Sequence, residues 1–260
     1  MSDSTYNLTV ELMKRHIDDL VYSSVQIEGI GATFAQTREI VAEGQANGVP
    51  SDDIHKIVCI KRSLEFLFSN YGLPADWSLY STYNAIIGEG TVRDAGQMRG
   101  PGTVRVDDYY PADVSEDLFY EIMDTAATTA YDDAELVAQV VLNLSKAQFF
   151  HDGNKRTALV FANHLLAQAD AEMAVIVTER DRDEYLDLLL DYYHGRLSLD
   201  DASWDFEEKF IVCAENPSLS ETRAALALRS DDLSGSDESW PELSRDEPRR
   251  DSGWAMRNGR

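Results

Sequence analysis

The sequence predicts a mainly α-helical protein with one non-helical interruption. Along most of the chain, apolar side chains recur at intervals of three or four residues, the spacing that places them on one face of an α-helix. Between Gly88 and Pro111 this spacing is lost, and only this segment favours strands. We therefore expect a helical bundle with its strands confined to residues 88–111.

The first half of the chain contains four predicted helices. The first covers about Val10–Ile27, and the second begins after Thr33, a favourable N-cap residue ahead of an amphipathic run. The third covers Asp52–Phe68, and the fourth covers Trp77–Ile87. The apolar face of the third helix consists of Ile54, Ile57, Ile60, Leu64 and Leu67.

Further helices are predicted between residues 115 and 210. Two of them follow each other closely, because helical spacing runs from Asp132 to Phe150 and starts again at Thr157. The break between them is Asp-Gly-Asn at residues 152–154. Gly153 allows the positive φ that such a break requires, and Asn154 is suited to be the N-cap of the second helix.

The first turn of this second helix carries two cations, Lys155 and Arg156. The helix macrodipole disfavours a cation there by about 0.3–1 kcal/mol. The two cations become favourable if an anion binds beside them. Free backbone N–H groups, a glycine that allows close approach and an arginine together form such an anion site, here called the phosphate cradle. Asp152 would then hold the Mg²⁺ that accompanies a nucleotide phosphate. Spacing alone leaves open an ordinary helical corner with a solvated basic pair.

The composition limits the partners and the compartment. A net charge of -24 over 260 residues argues against nucleic acid or an anionic membrane, since both need a basic surface. Cys59 and Cys213 are isolated in apolar surroundings, which is typical of reduced core cysteines in a cytoplasmic protein. We find no signal peptide and no apolar run long enough for a membrane span, and expect a cytoplasmic protein.

The segment from Phe150 to Arg156 resembles the second half of the Fic/Doc (Fido) family signature, His-x-Phe-x-Asp/Glu-Gly-Asn-Gly/Lys-Arg. Phe150 fills the Phe position, and the position of the family's catalytic His falls on Gln148. The resemblance implies a Fic-type helical bundle with a short β-hairpin flap. The remaining identities are Asp152, Gly153, Asn154, Lys155 and Arg156.

Two other segments also resemble parts of this family. Residues 24–29 are similar to its inhibitory-helix motif, which implies inhibitory roles for Ser24, Glu28 and Gly29. Residues 96–111 resemble the region of the flap, which docks a target protein by adding a strand. The flap residues implied to contact the target are Met98, Arg99, Thr103 and Val104.

The resemblance implies transfer of AMP, or another phosphate-containing group, from a nucleotide to a hydroxyl side chain of a target protein. The implied cofactor is Mg²⁺ with ATP or another nucleotide, and Asp152 is the implied metal ligand. Catalytic roles fall on Gln148, Asp152 and Arg156. Nucleotide binding falls on Gly153, Asn154, Lys155 and Arg156.

Gln148 departs from the family pattern where a general base is needed. An amide cannot accept the proton of an attacking hydroxyl at neutral pH, and loss of general-base catalysis typically slows a reaction about 10²–10⁴-fold. His151 would lie about 60° from Gln148 on an unbroken helix and could replace the base. Because the loop begins there, we expect His151 to be an exposed linker residue.

Leu159 is the second departure. It occupies the position of a further family Arg that holds the γ-phosphate and pairs with the inhibitory Glu. Residues 157–159 instead resemble the Doc branch, which is associated with phosphate transfer. Glu28 therefore lacks its usual partner, and we expect it to reach Arg156, stay partly in water, or take up a proton.

We divide the chain into N-terminal helices with the inhibitory motif (residues 1–50), a Fic-type core (51–215) and a disordered acidic tail (216–260). Three functions remain. The first is a nucleotide-binding Fic protein with weakened catalysis; the others are a catalytically silent regulator and a Doc-like phosphotransferase. The sequence leaves open whether the chain forms a homo-oligomer.

Overall fold

The computed structural model describes residues 7–213, in which ten α-helices and one two-stranded sheet are present. The helices are α1 (Leu8–Arg15), α2 (Ile17–Glu28), α3 (Phe34–Glu43), α4 (Ser51–Asn70), α5 (Trp77–Ile87), α6 (Glu116–Thr129), α7 (Asp133–Ala147), α8 (Asn154–Ala169), α9 (Arg182–Tyr193) and α10 (Leu199–Phe210). The strands β1 (Met173–Val175) and β2 (Ile211–Cys213) pair antiparallel, with Met173 opposite Cys213. The predicted mainly α fold is confirmed. The predicted tail, residues 216–260, lies outside the described residues.

Capping residues fix several helix starts. Thr33 forms a capping box with Gln36, in which each residue's side chain accepts a hydrogen bond from the other's backbone N–H. Asp76 and Asp132 cap α5 and α7, where their carboxylates accept backbone hydrogen bonds from residues 79 and 135, both at 2.9 Å. The predicted start after Thr33 is therefore confirmed.

The first predicted helix, Val10–Ile27, is two helices. His16 separates them with φ -111° and ψ 25°, and its N–H donates to the carbonyls of Leu12 and Met13. Both helices bury apolar side chains in the same core, so the apolar spacing continues across the break. Periodicity alone could not show this corner.

The prediction that strands are confined to residues 88–111 was wrong. That segment contains a single antiparallel bridge, between Val106 and Tyr109, while β1 and β2 lie later in the chain. Each strand has only three residues, too few to display the alternation that identifies strands in a sequence. Cys213 at the end of β2 is exposed, against our expectation of a core cysteine, whereas Cys59 is buried.

Helix α8 is the centre of the core. Every residue from Arg156 to Ala167 is buried, because other helices surround it. Beside it, Trp77 stacks on Phe150 with ring centroids 5.6 Å apart, and Tyr80 lies 5.2 Å from the same ring. Aromatic packing therefore anchors the chain between α7 and α8. Within residues 7–213, no helix is both long and apolar enough to cross a membrane.

Glu207 on α10 is a carboxyl group whose pKa is shifted by its position in the fold. Burial first, then the negative charges of Asp132 and Glu135 at the start of α7, raise the pKa of Glu207 from 4.5 to about 7. A carboxyl group whose pKa is higher in the folded state than in the unfolded state destabilises the fold once it is ionised.

We expect Glu207→Gln to raise the free energy of unfolding at pH 8. The cost of ionised Glu207 is absent below pH 4.5, grows as the pH rises towards about 7 and is complete above that value. The gain should therefore shrink between pH 8 and pH 5, as measured by thermal unfolding. Glu208→Gln, at an exposed neighbour, is the matched control. Equal effects of the two variants at pH 8 would contradict this assignment.

Candidate functional site

The connection between α7 and α8 forms the candidate site. Helix α7 ends at Ala147, and its C-cap residue Gln148 adopts the left-handed conformation with φ 53° and ψ 61°. Helix α8 begins after Gly153, with φ 79°. The predicted positive φ of Gly153 is observed, but Gly153 itself, not Asn154, is the N-cap. The assignment of Asn154 as the N-cap was wrong.

The side chain of Asn154 braces this connection. Its Oδ1 accepts a hydrogen bond from the N–H of Phe150 at 2.8 Å. Its Nδ2 donates to the carbonyl of Phe150 at 2.8 Å and to Oε1 of Gln148 at 3.0 Å. The amide has too many partners inside the loop to reach back and cap the helix, which explains the failed prediction.

Gln148 is buried, with 5% of its surface exposed. Its Oε1 accepts from Asn154, and its Nε2 donates to the carbonyl of Ser145 at 2.6 Å. Both polar atoms of the side chain are therefore held by the protein. In this arrangement Gln148 is neither a base nor a group that orients an incoming hydroxyl. His151 is exposed in the loop, as expected.

Arg156 is buried and lies between two carboxylates. Its Nη2 is 2.9 Å from Oε2 of Glu28 and 3.4 Å from Oδ1 of Asp152. The side chains of Arg156 and Glu28 are 3% and 23% exposed. Among the expected arrangements for Glu28, pairing with Arg156 is observed, and the carboxylate also remains partly in water. Leu159, three residues after Arg156, is buried and carries no charge.

The pKa values of the cradle reflect burial opposed by neighbouring charge. Burial raises the pKa of Glu28, while the positive charge of Arg156 lowers it. Burial lowers the pKa of Lys155, while the negative charge of Glu28 opposes that shift. Lys155 forms no ion pair within residues 7–213, so its ammonium group is available to an anionic ligand.

Three backbone N–H groups at the start of α8 point towards the same region. The N–H groups of Asn154, Lys155 and Arg156 form no hydrogen bond with another of the described residues. The N–H of Gly153 donates to Asp152 Oδ1 at 2.6 Å. Together with the two cationic side chains, these donors fit the phosphate groups of a nucleotide.

Asp152 fits a metal ion only as one ligand among several. Its side chain is 55% exposed, and its Oδ1 already contacts Gly153 and Arg156. Within residues 7–213 there is no group of three His, Cys, Asp or Glu side chains that could hold a metal. Mg²⁺ bound to Asp152 would therefore need most of its oxygen ligands from phosphate and water.

Asn84 on α5 is a site residue that sequence reasoning missed. Its Nδ2 donates to the carbonyl of Asp152 at 2.9 Å and to Oγ1 of Thr157 at 3.1 Å, and its Oδ1 accepts from the N–H of Gly96 at 2.8 Å. It thereby joins the loop, α8 and the flap region. The available signal was a polar amide on the buried face of a helix, next to Tyr80 and Tyr83.

Arg99 is buried at the base of the flap region, with 4% of its surface exposed. Its guanidinium donates to the carbonyls of Gln148, Ala112 and Ala147, and its backbone N–H donates to Phe149. These bonds satisfy the carboxyl end of α7, where a cation is favourable. The structure therefore gives Arg99 a structural role at the end of α7.

The other predicted flap and inhibitory residues differ in how deeply they are buried. Thr103 is exposed, whereas Met98 and Val104 are half-buried. On α2, Ser24 is buried in the core. Gly29 ends α2 with φ 71°, a conformation that favours glycine.

Residues 77–166 match the model of the Fic/DOC family. A Fic domain containing signaling protein from Bacteroides thetaiotaomicron has a TM-score of 0.59 and 16% identity, with 76% of this chain and 82% of that chain covered. A variant of a Fic-1 fragment from C. elegans has a TM-score of 0.62 and 20% identity, covering 88% and 69%. A Fic family protein from Desulfovibrio desulfuricans has a TM-score of 0.54 and 15% identity, covering 77% and 71%.

The family match over residues 77–166 and the shared fold of these structures together support a Fic domain in this chain. The matched range begins with α5 and includes the whole connection between α7 and α8. At such low identities, the solved structures establish the fold alone. No curated protein matches the sequence.

We expect Gly153→Ala to destabilise the protein more than Gly44→Ala. Both glycines have a positive φ, 79° and 77°, so each alanine should cost about 1–2 kcal/mol in backbone strain. A Cβ at Gly153 would also lie 3.1 Å from Nδ2 of Asn84, whereas one at Gly44 meets nothing within 4 Å. Urea unfolding of both variants measures the excess. Equal losses of stability would show that the Asn84 contact is unimportant.

Proposed function

We propose that this Fic domain binds a nucleotide together with Mg²⁺, and that it transfers AMP or another phosphate-containing group to a target protein only slowly. The observation that carries this proposal is the combination of an intact anion cradle with Gln148 held by Ser145 and Asn154. The cradle favours nucleotide binding. The fixed amide leaves the attacking hydroxyl without a base.

Binding rests on the start of α8. Three N–H groups, the ammonium of Lys155 and the guanidinium of Arg156 converge there, and Gly153 has no side chain to obstruct a phosphate. Mg²⁺, when bound with the nucleotide, supplies charge neutralisation at the phosphate oxygens, with Asp152 as its protein ligand. Lys155 and Arg156 contribute further positive charge, which stabilises negative charge in phosphoryl transfer.

Glu28 opposes this binding. It occupies Arg156 Nη2 at 2.9 Å, so a phosphate oxygen must displace its carboxylate to form the same contact. In this proposal the inhibitory motif of α2 retains its role despite Leu159, because the first signature arginine replaces the second as the partner of the glutamate. The partner that receives the group is a protein with an exposed hydroxyl, docked along the flap region.

Two alternative functions are each favoured by one observation. The complete internal bonding of Gln148 favours a catalytically silent regulator that only binds nucleotide or a partner. Leu159, buried at the position of the second arginine, favours Doc-like phosphate transfer. These two functions differ in their product. A transferase leaves phosphate or AMP on a target protein, whereas a silent regulator leaves the target unmodified.

We expect wild-type protein to bind ATP with Mg²⁺ but to label itself or added protein very little. Gln148→His restores a base and should increase labelling by about 10²–10⁴-fold. Labelled ATP, with the label in the α- or the γ-phosphate, measures the rate and identifies the transferred group. His151→Ala is the control, because an exposed loop residue should not affect labelling. Strong wild-type labelling that His151→Ala abolishes would place the base at His151. If neither wild type nor Gln148→His binds ATP, the cradle is not a nucleotide site.

We expect the affinity for nucleotide to rise as the pH falls, more steeply in wild type than in Glu28→Gln. Burial raises the pKa of Glu28, and protonation removes the charge that pairs with Arg156. The other charged groups that act on Glu28 are Asp152, Lys56 and Lys155. Calorimetric titration of both variants between pH 5 and pH 8 isolates the contribution of Glu28, since titration of the nucleotide is common to both. Parallel pH profiles would show that Glu28 does not compete with the ligand.

A further inference from the structure

The backbone that carries Glu28 is held by residues outside its own helix. Glu28 is the last residue of α2, and the carbonyl of Gln26, two residues before it, faces α9. Nε of Arg182, the first residue of α9, donates to that carbonyl at 2.6 Å. The same carbonyl accepts the N–H of Gly29 at 3.0 Å, as the helix ends.

A second bond from the same segment holds the preceding turn of α2. The N–H of Val177 donates to Oγ of Ser23 at 2.9 Å, and both residues are buried. The guanidinium of Arg182 also lies against the helix end, because its Nη2 is 3.9 Å from the position of a Cβ at Gly29. Residues 177–182 therefore contact the last two turns of α2, on which Glu28 is carried.

Electrostatics favour this contact. Helix α2 has no basic residue in its own last turn, so its carboxyl-terminal carbonyls lack a cation from within the helix. Arg182 supplies that charge from α9. Its side chain is 33% exposed, and its Nη1 also pairs with Asp183 at 2.6 Å, which orients the guanidinium. The bond to Gln26 is consequently a charge-assisted one.

We propose that Arg182 is a positioning residue for Glu28. By holding the carbonyl of Gln26, it keeps the end of α2 where the Glu28 carboxylate reaches Arg156, so that α9 helps to set the nucleotide affinity of the cradle. This rests on the proposed function in one respect, that Glu28 competes with a phosphate for Arg156. The contact between Arg182 and α2 does not depend on that proposal.

The test compares Arg182→Ala with Arg180→Ala, each in the wild-type and the Glu28→Gln background. Arg180 is exposed and lies two residues away, so its variant removes the same charge without removing the bond to Gln26. Calorimetry measures the affinity for ATP with Mg²⁺. Since hydrogen bonds from charged donors are among the stronger ones, and the bond between Val177 and Ser23 remains, we expect Arg182→Ala to raise affinity about three- to tenfold.

The increase should be absent when Glu28 is already Gln, because no carboxylate is then left to position. Arg180→Ala should change affinity in neither background, and Arg182→Lys should restore part of the wild-type value. An unchanged affinity for Arg182→Ala would overturn the proposal. So would an increase of the same size in both backgrounds, since it would not depend on the Glu28 carboxylate.

Hydrogen exchange of backbone amides tests the contact without nucleotide. Arg182→Ala should speed exchange at Gly29 and Ile30, whose N–H groups bond to Gln26 and Val25 at the end of α2, and Arg180→Ala should not. Unchanged exchange would overturn the positioning role even if nucleotide binds. If exchange changes but no variant binds ATP, the positioning role stands and the proposed nucleotide-binding function fails.

Discussion

The geometry of the candidate site depends on the side-chain amide of Asn154. Its bonds to the backbone of Phe150 and to the side chain of Gln148 fix residues 148–153 relative to the first turn of α8. The ring of Phe150, fully packed between Trp77 and Tyr80, holds the same loop from the core side. Breaking these bonds without replacement would leave buried polar groups unpaired, which costs about 1–3 kcal/mol for each group. The free N–H groups at the start of α8 keep their orientation for this reason.

The second constraint is the charge of Arg156. A buried guanidinium at a helix start is unfavourable by desolvation and by the helix dipole, so a counter-charge is needed. Glu28 supplies it in the structure, at 2.9 Å. Burial raises the pKa of Glu28 although Arg156 lowers it, so the pairing only partly offsets the desolvation of the carboxylate. In the proposed function, an anionic ligand with several acceptor oxygens replaces Glu28, so that α2 and the ligand compete for the guanidinium of Arg156.

Much of this arrangement could be predicted from the sequence, where short-range rules decide. The boundaries of α5 match the prediction, Gly153 has the expected positive φ, and Glu28 reaches Arg156. Some predictions failed locally, such as Asn154 as the N-cap, but the features that the sequence missed at the site involve partners far apart in sequence. Arg99 satisfies carbonyls at residues 112, 147 and 148, and Asn84 joins the loop to Gly96. No local pattern identifies such bonds, and they become visible only when packing brings the segments together.

Two short-range bonds explain why a glutamine can occupy the position of the family's histidine without disturbing the fold. Gln148 needs one donor, towards the carbonyl of Ser145, and one acceptor, towards Asn154. A neutral imidazole also has one donor and one acceptor, but its two nitrogens lie on different sides of the ring. With one nitrogen donating to Ser145, the other would face away from that carbonyl. The brace from Asn154 to Phe150 involves neither Gln148 atom and would remain. The brace that holds the loop therefore does not depend on Gln148, and in the proposed function a histidine at this position would add a base without removing that brace.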